Sequence, residues 1–187
     1  LSGGSLAVST DLEAPAGNLS LKAGSGDLDV NAGATLDTAG INKTFFDTTT
    51  YATGGTLSLA ASRGSVNLQP GSAASFGGAG QGGDAGSLDI QAGGSVLLGG
   101  RLDGHAAAGY KGGIFSLDSG GVVDLDAIAA LSQAGGITGA LSISSGAGNL
   151  KLSAGQSLKA GNVYLAANGG SGLPSAADGN VEIDGSI

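Results

Sequence analysis

Cysteine, methionine and tryptophan are absent from this chain of 187 residues, and proline occurs only three times. Without cysteine there is no disulfide framework and no thiolate metal site. Basic residues are scarce, 7 against 15 acidic ones, for a formal net charge of −8, and none of them cluster. That balance excludes the basic footprint of a nucleic-acid or anionic-membrane binder. Histidine occurs once, at His105, so a haem- or metal-scavenging role would have only that residue and Tyr110 to draw on. No apolar run reaches 18 residues, and no membrane-spanning segment is expected. The chain opens Leu1-Ser2-Gly3-Gly4, without an initiator Met or a charged and apolar leader. The expectation is a segment of a longer protein.

Glycine, by contrast, supplies 39 residues, and 41% of the chain is apolar. Collagen needs Gly at every third position and disorder needs few apolar residues, so neither composition applies. One phrase recurs thirteen times: Gly, any residue, apolar, any residue, apolar. It starts at Gly4, Gly17, Gly26, Gly55, Gly64, Gly86, Gly94, Gly113, Gly121, Gly139, Gly148, Gly161 and Gly179. An apolar period of two is the mark of a strand with one buried face, and the leading Gly is read as the turn before it. The central residue is polar or charged in ten copies, Ala7, Leu97 and Tyr164 being the exceptions. Two residues past the second apolar position stands something small, as at Ala23, Ala61, Ala92 and Ser119, which suits a corner where the interior narrows.

The copies fall into pairs eight or nine residues apart, counted from the first apolar residue: Leu19 and Leu28, Leu57 and Val66, Leu88 and Val96, Phe115 and Val123, Leu141 and Leu150. A weaker apolar segment follows each pair, at Leu36, Phe76, Leu102, Ile128 and Leu158. Three strands per turn of chain, repeated for about six coils, is the simplest account, and it makes an all-β parallel β-helix stacked at roughly 4.8 Å. An antiparallel sandwich also alternates and is the rival geometry. Residues 1–187 read as one segment, with inserts near 42–55, 77–86 and 101–113.

Candidate chemistry concentrates in those inserts. The first holds Phe45, Phe46, Asp47 and Tyr51 beside Thr48, Thr49 and Thr50, three of the chain's seven aromatics together. Aromatic faces with hydroxyls and a carboxylate suit sugar rings, so these residues are the candidate ligand-binding set. The bland alternative is that the rings pack back on the side of the fold. The third insert carries Arg101, Asp103, His105 and Lys111; the i, i+2 spacing of Asp103 and His105 would put both on one strand face, able to orient a proton shuttle or hold a metal. Incidental surface charge explains the same cluster. The Gly-rich stretch Gly77 to Ile90 is an imperfect copy of a calcium-binding nonapeptide, with Asp84 displaced from the template. Asp27, Asp29, Asp89, Asp103, Asp124 and Asp126 are the carboxylates an enzyme of this shape would draw on, and each is also explained as part of a solvated face. No cofactor, metal site or catalytic residue is assigned from the sequence.

Three segments, Gly17 to Gly24 (GNLSLKAG), Gly86 to Gly93 (GSLDIQAG) and Gly148 to Gly155 (GNLKLSAG), carry a resemblance to the repeat region of filamentous haemagglutinin-type exoproteins. The resemblance extends over nearly the whole chain. It implies a right-handed parallel β-helix, exported across the outer membrane of a Gram-negative bacterium by a dedicated transporter partner and acting at the cell surface in adhesion, aggregation or biofilm. The family's secretion domain carries Asn-Pro motifs, and this chain has none; the expected place is therefore the shaft or a binding region. The function so implied is a non-enzymatic structural and adhesive segment, meeting host or matrix glycans or a sister molecule. The alternative is a polysaccharide-active β-helix hydrolase or lyase.

Overall fold

The computed structural model describes residues 1–169 and 179–187. The chain is mostly β, its large sheets are parallel, and among the described residues it forms a single helix, Leu125–Ala134. The parallel pairing sets aside the antiparallel sandwich. Six-residue strands Asn18–Ala23, Thr56–Ala61, Ser87–Ala92, Ile114–Ser119, Ala140–Ser145 and Asn162–Ala167 lie side by side in one long sheet, with Ser2–Gly3 at its edge. A second sheet holds Leu6–Val8, Leu28–Val30, Val66–Leu68 and Val96–Leu98; a third holds Leu12–Glu13, Thr35–Asp37, Ala73–Ser75 and Arg101–Asp103. From Ser2 to Asp103 the chain visits the long, second and third sheets in that order four times.

The registers turn sequence periodicity into columns. Leu19, Leu57, Leu88, Phe115, Leu141 and Val163 stand in line across the long sheet, and Leu21, Leu59, Ile90, Leu117, Ile143 and Leu165 form the next column. Most of these side chains are buried, and each aliphatic side chain removed from water contributes about 1.5–3 kcal/mol. The small residues read as corners, Ala23, Ala61, Ala92, Ser119, Ser145 and Ala167, make a third column in register. Corner residues outside the long sheet, such as Ala32 and Ala154, are exposed. The small side chains therefore belong to the inner end of one sheet.

The leading glycines require a different account from the turns expected of them. Of the thirteen, only Gly148 and Gly179 adopt a positive φ. Most of the others are held by close approach of backbone: a Cβ on Gly86 would lie 2.7 Å from the Gly54 carbonyl carbon, and one on Gly93, in the following turn, 3.0 Å from Arg63 Cα, whereas Gly4 and Gly26 face the side chains of Ser25 and Ser5.

Twelve of the thirteen copies form strands, and the exception is Gly121, whose Val123 precedes a helix that Leu125 begins. Asp124 caps that helix by accepting from the Ala127 N–H at 3.0 Å, and Asp126 adds a negative charge in its first turn. Leu125, Ile128, Ala129 and Ser132 face the interior, a helical spacing that outcompetes the short alternation of Val123 and Leu125. Gly135 then ends the helix and Gly136 turns with φ 64°. The inserts also change shape. Residues 42–51 are an antiparallel hairpin, Asn42–Phe45 with Thr48–Tyr51, and Arg101–Asp103 is a strand of the third sheet, so the third insert begins after it.

Candidate functional site

All three inserts leave the chain at one point of the repeated path, after a third-sheet strand and before a long-sheet strand: 42–55 before Thr56, 77–86 before Ser87, and 104–113 before Ile114. Parallel stacking therefore sets them next to one another. Their roots are joined by backbone hydrogen bonds, Ala79 N–H to Ala52 O at 3.3 Å, Gly54 N–H to Asp84 O at 2.9 Å, and Ala85 N–H to Lys111 O at 2.8 Å. Buried Phe76 seats the third insert, its ring lying under Gly104 and Gly113, where a Cβ would come within 2.6 Å of it.

This arrangement divides the predicted ligand set. Phe45, Phe46 and Asp47 stand at the tip of the hairpin, with Phe46 fully exposed at 104% and Phe45 at 56%. The rings do not pack back on the fold. Asp47 accepts from the Thr48 hydroxyl at 3.4 Å, and Lys43 Nζ lies 5.5 Å from the Phe45 ring centre. Tyr51 sits at the other end, paired with Asn42, roughly 10 Å from the tip at the rise of an antiparallel strand. Its hydroxyl donates to Gln81 Oε1 at 3.1 Å, and its ring lies so near Gly82 that a Cβ there would be 2.9 Å away.

Tyr51 belongs instead to a cleft. A shallow, open depression of about 470 Å³ is lined by Thr50, Tyr51, Thr53, Asp84 and Tyr110, and it adjoins a half-open one of about 660 Å³ lined by Asp84, Tyr110, Lys111, Thr138 and Asn162 over a floor that includes Ile114 and Ala140. Asp84 and Tyr110 line both. Asp84 is fixed there because its Oδ1 accepts from the Lys111 N–H at 2.9 Å. Two tyrosine rings, one carboxylate, one ammonium and several hydroxyl and amide groups over a partly apolar floor are the composition of a saccharide-type site. Asp84, Tyr110, Lys111, Thr138 and Asn162 were not predicted as partners of Tyr51, although the common position of the inserts in the repeat would have placed the first three of them beside it.

The remaining cluster gathers Arg101, Asp103 and His105, while Lys111 goes to the cleft. Asp103 Oδ1 meets His105 Nδ1 at 2.9 Å, and its other oxygen receives the Arg101 guanidinium. Partial burial pushes the Asp103 carboxyl up, but the hydrogen bonds from His105 and Arg101 outweigh it and hold the carboxyl below its ordinary value. Gly136 lies against the His105 ring, where a Cβ would be 2.5 Å from it. A pocket of about 290 Å³ adjoins Ser75, Asp103 and His105.

The other carboxylates singled out from the sequence serve local structure. Asp27 accepts from the Ser65 N–H at 2.7 Å, Asp29 from the Asn67 amide at 2.7 Å, Asp89 from the Gln91 amide at 3.2 Å and Asp126 from the Ser153 N–H at 2.8 Å, while Asp124 caps the helix. Among the described residues no three His, Asp or Glu side chains gather as a metal-binding set, and Asp84 of the calcium-like stretch is the cleft residue already placed. No helix among the described residues is long and apolar enough to cross a membrane. No protein-family model, curated protein or solved structure matches the chain.

Proposed function

We propose that the chain is a non-enzymatic structural and adhesive segment of a large secreted adhesin on a Gram-negative cell surface. In this reading it is a right-handed parallel β-helix of three strands per coil and about six coils, delivered by an outer-membrane transporter partner. The observation that carries the reading is the fourfold return through three parallel sheets with the inserts aligned on one side. Such a stack lengthens without changing its cross-section, and it presents inserts as a continuous face. Right-handed connection is the rule for parallel strands joined within a sheet.

The ligand is a neutral glycan or matrix polysaccharide, and it occupies the cleft between the inserts. The rings of Tyr51 and Tyr110 stack on sugar faces, while Asp84, Thr138 and Asn162 hydrogen-bond hydroxyls. The chain's acidic balance disfavours an acidic polymer. Phe45, Phe46 and Asp47, at the hairpin tip, lie outside this site.

A glycan and exopolysaccharide array tests the binding. The expected outcome is retention on neutral polysaccharides, lost in a Y51A/Y110A variant that melts like the parent, and kept in F45A/F46A. Failure of the folded parent to bind any saccharide would sink the cleft assignment alone. Deletion of the segment from its parent protein tests the adhesive role, with reduced surface attachment of the producing cells as the expected result.

The Arg101, Asp103 and His105 cluster beside its pocket favours a second reading, a polysaccharide hydrolase or lyase, because a carboxylate-oriented imidazole can move a proton. Release of reducing ends or unsaturated products by the parent chain, abolished in H105A, would establish it in place of the first.

A further inference from the structure

The long sheet turns one face to solvent, and the central outward column of that face is short and polar until its last member. Ser20, Ser58, Asp89, Ser116 and Ser142 stand in register, and the residue that follows them is Tyr164, 63% exposed. A ring that open draws little stability from the fold, because most of its apolar area stays in water. Its strand is anchored from the other face, where Val163 and Leu165 pack on the core.

The same strand serves the cleft. Asn162, two residues before Tyr164, lines the larger depression together with Ala140. Side chains two apart on a strand point the same way, so Asn162 and Tyr164 share one face about 7 Å apart. Ala140 pairs with Asn162 and Ser142 with Tyr164, and the neighbouring strand thus sets only short side chains beside that step. The cleft is also long. Counted at the long-sheet strands that its walls precede or join, it runs from Thr56–Ala61 past Ser87–Ala92, Ile114–Ser119 and Ala140–Ser145 to Asn162, roughly 19 Å at the spacing of neighbouring strands. One sugar ring cannot span that length.

We propose that the cleft binds the interior of a neutral polysaccharide chain and that Tyr164 is its outermost stacking platform, taking the sugar that leaves the cleft past Asn162. Binding at Tyr164 rests on the saccharide reading of the cleft given above; what it adds is a ligand held along its length in place of a terminal sugar. Asn162, Ser142, Ser144 and Ala166, which surround the ring on that face, are uncharged. They offer hydroxyl and amide partners to a sugar and nothing to fix an ionic group. One stack on an open face holds weakly by itself, but it adds to binding when the same chain is already held in the cleft. Affinity therefore depends on the length of the saccharide.

Calorimetric titration of the folded chain tests this with disaccharides and hexasaccharides hydrolysed from cellulose, mannan, galactan and any neutral polysaccharide retained on the array. The expected result is a hexasaccharide bound at least tenfold more tightly than the disaccharide of the same source. In Y164A the hexasaccharide falls to near the disaccharide affinity, the disaccharide binds as it does to the parent, and Y164F keeps the gain. A ring that served only the sheet would lower melting in Y164A and leave the length ratio alone. Y164T, whose β-branched side chain suits a strand, gives the same readout if Y164A loosens the sheet edge. Equal affinities for the two lengths in the parent, or a length ratio that survives in Y164A, would overturn the proposal and leave the cleft assignment standing. Failure of both lengths from every source to bind the folded parent overturns the cleft assignment and this platform with it.

Discussion

Gly86 illustrates how a single residue is constrained by chain far away in sequence. Its position in the repeat is legible, but its reason is the Gly54 backbone one pass earlier, with the carbonyl carbon 2.7 Å from where a Cβ would stand. We expect G86A to lower stability by about 1–3 kcal/mol through overpacking, measured by chemical denaturation. G80A, with nothing within 4 Å of its Cβ position and an ordinary φ, should stay within about 0.5 kcal/mol of the parent. Asp103 gives the acid-side prediction. Its folded carboxyl titrates below the ordinary value, so folding favours its ionised form. That stabilisation is complete above pH of about 4 and disappears as pH falls through the folded value. Unfolding followed from pH 6 to pH 2 should show a shallower acid decline in D103N than in the parent.

At the scale of elements, the strand reading held wherever alternation was the only local pattern and failed where a helix had competing signals. Asp124 before an Ala-rich run, Ile128 and Leu131 at helical spacing, and a Gly-Gly stop are all visible in the sequence. The five-residue phrase passed over them because two apolar residues at i and i+2 are too few to exclude a helix. D124A should cost about 1 kcal/mol by removing the cap on Ala127, with faster amide exchange through the helix as the readout. Leu59 tests the stacked columns. It is fully buried between Leu21 and Ile90, and L59A should cost about 2–5 kcal/mol.

Across the whole molecule, the seven aromatics are distributed by role. Phe76 and Phe115 are core, Tyr51 and Tyr110 line the cleft, Phe45 and Phe46 form the tip, and Tyr164 lies exposed on the outer face of the long sheet. The sequence grouped Tyr51 with the two phenylalanines because they are near neighbours in the chain. The hairpin sends them to opposite ends, and stacking brings Tyr110 to Tyr51 across 59 positions (110 minus 51). The Y51A/Y110A and F45A/F46A pairs therefore have different expected effects: the first removes saccharide retention and the second leaves it in place. Retention on the array reads both.

What the sequence by itself determined is twelve of the thirteen Gly-led strands, their apolar faces and the approximate places where inserts interrupt them. Alternation and glycine spacing act within five residues, and burial of one strand face rewards them wherever the strand goes. The tertiary structure alone decided that most of the leading glycines serve close backbone approach, that a helix displaces one strand, and which insert residues share a cleft. Those outcomes depend on neighbours one pass away, commonly 20 to 40 residues along the chain, whose distance is set by stacking and by no local pattern.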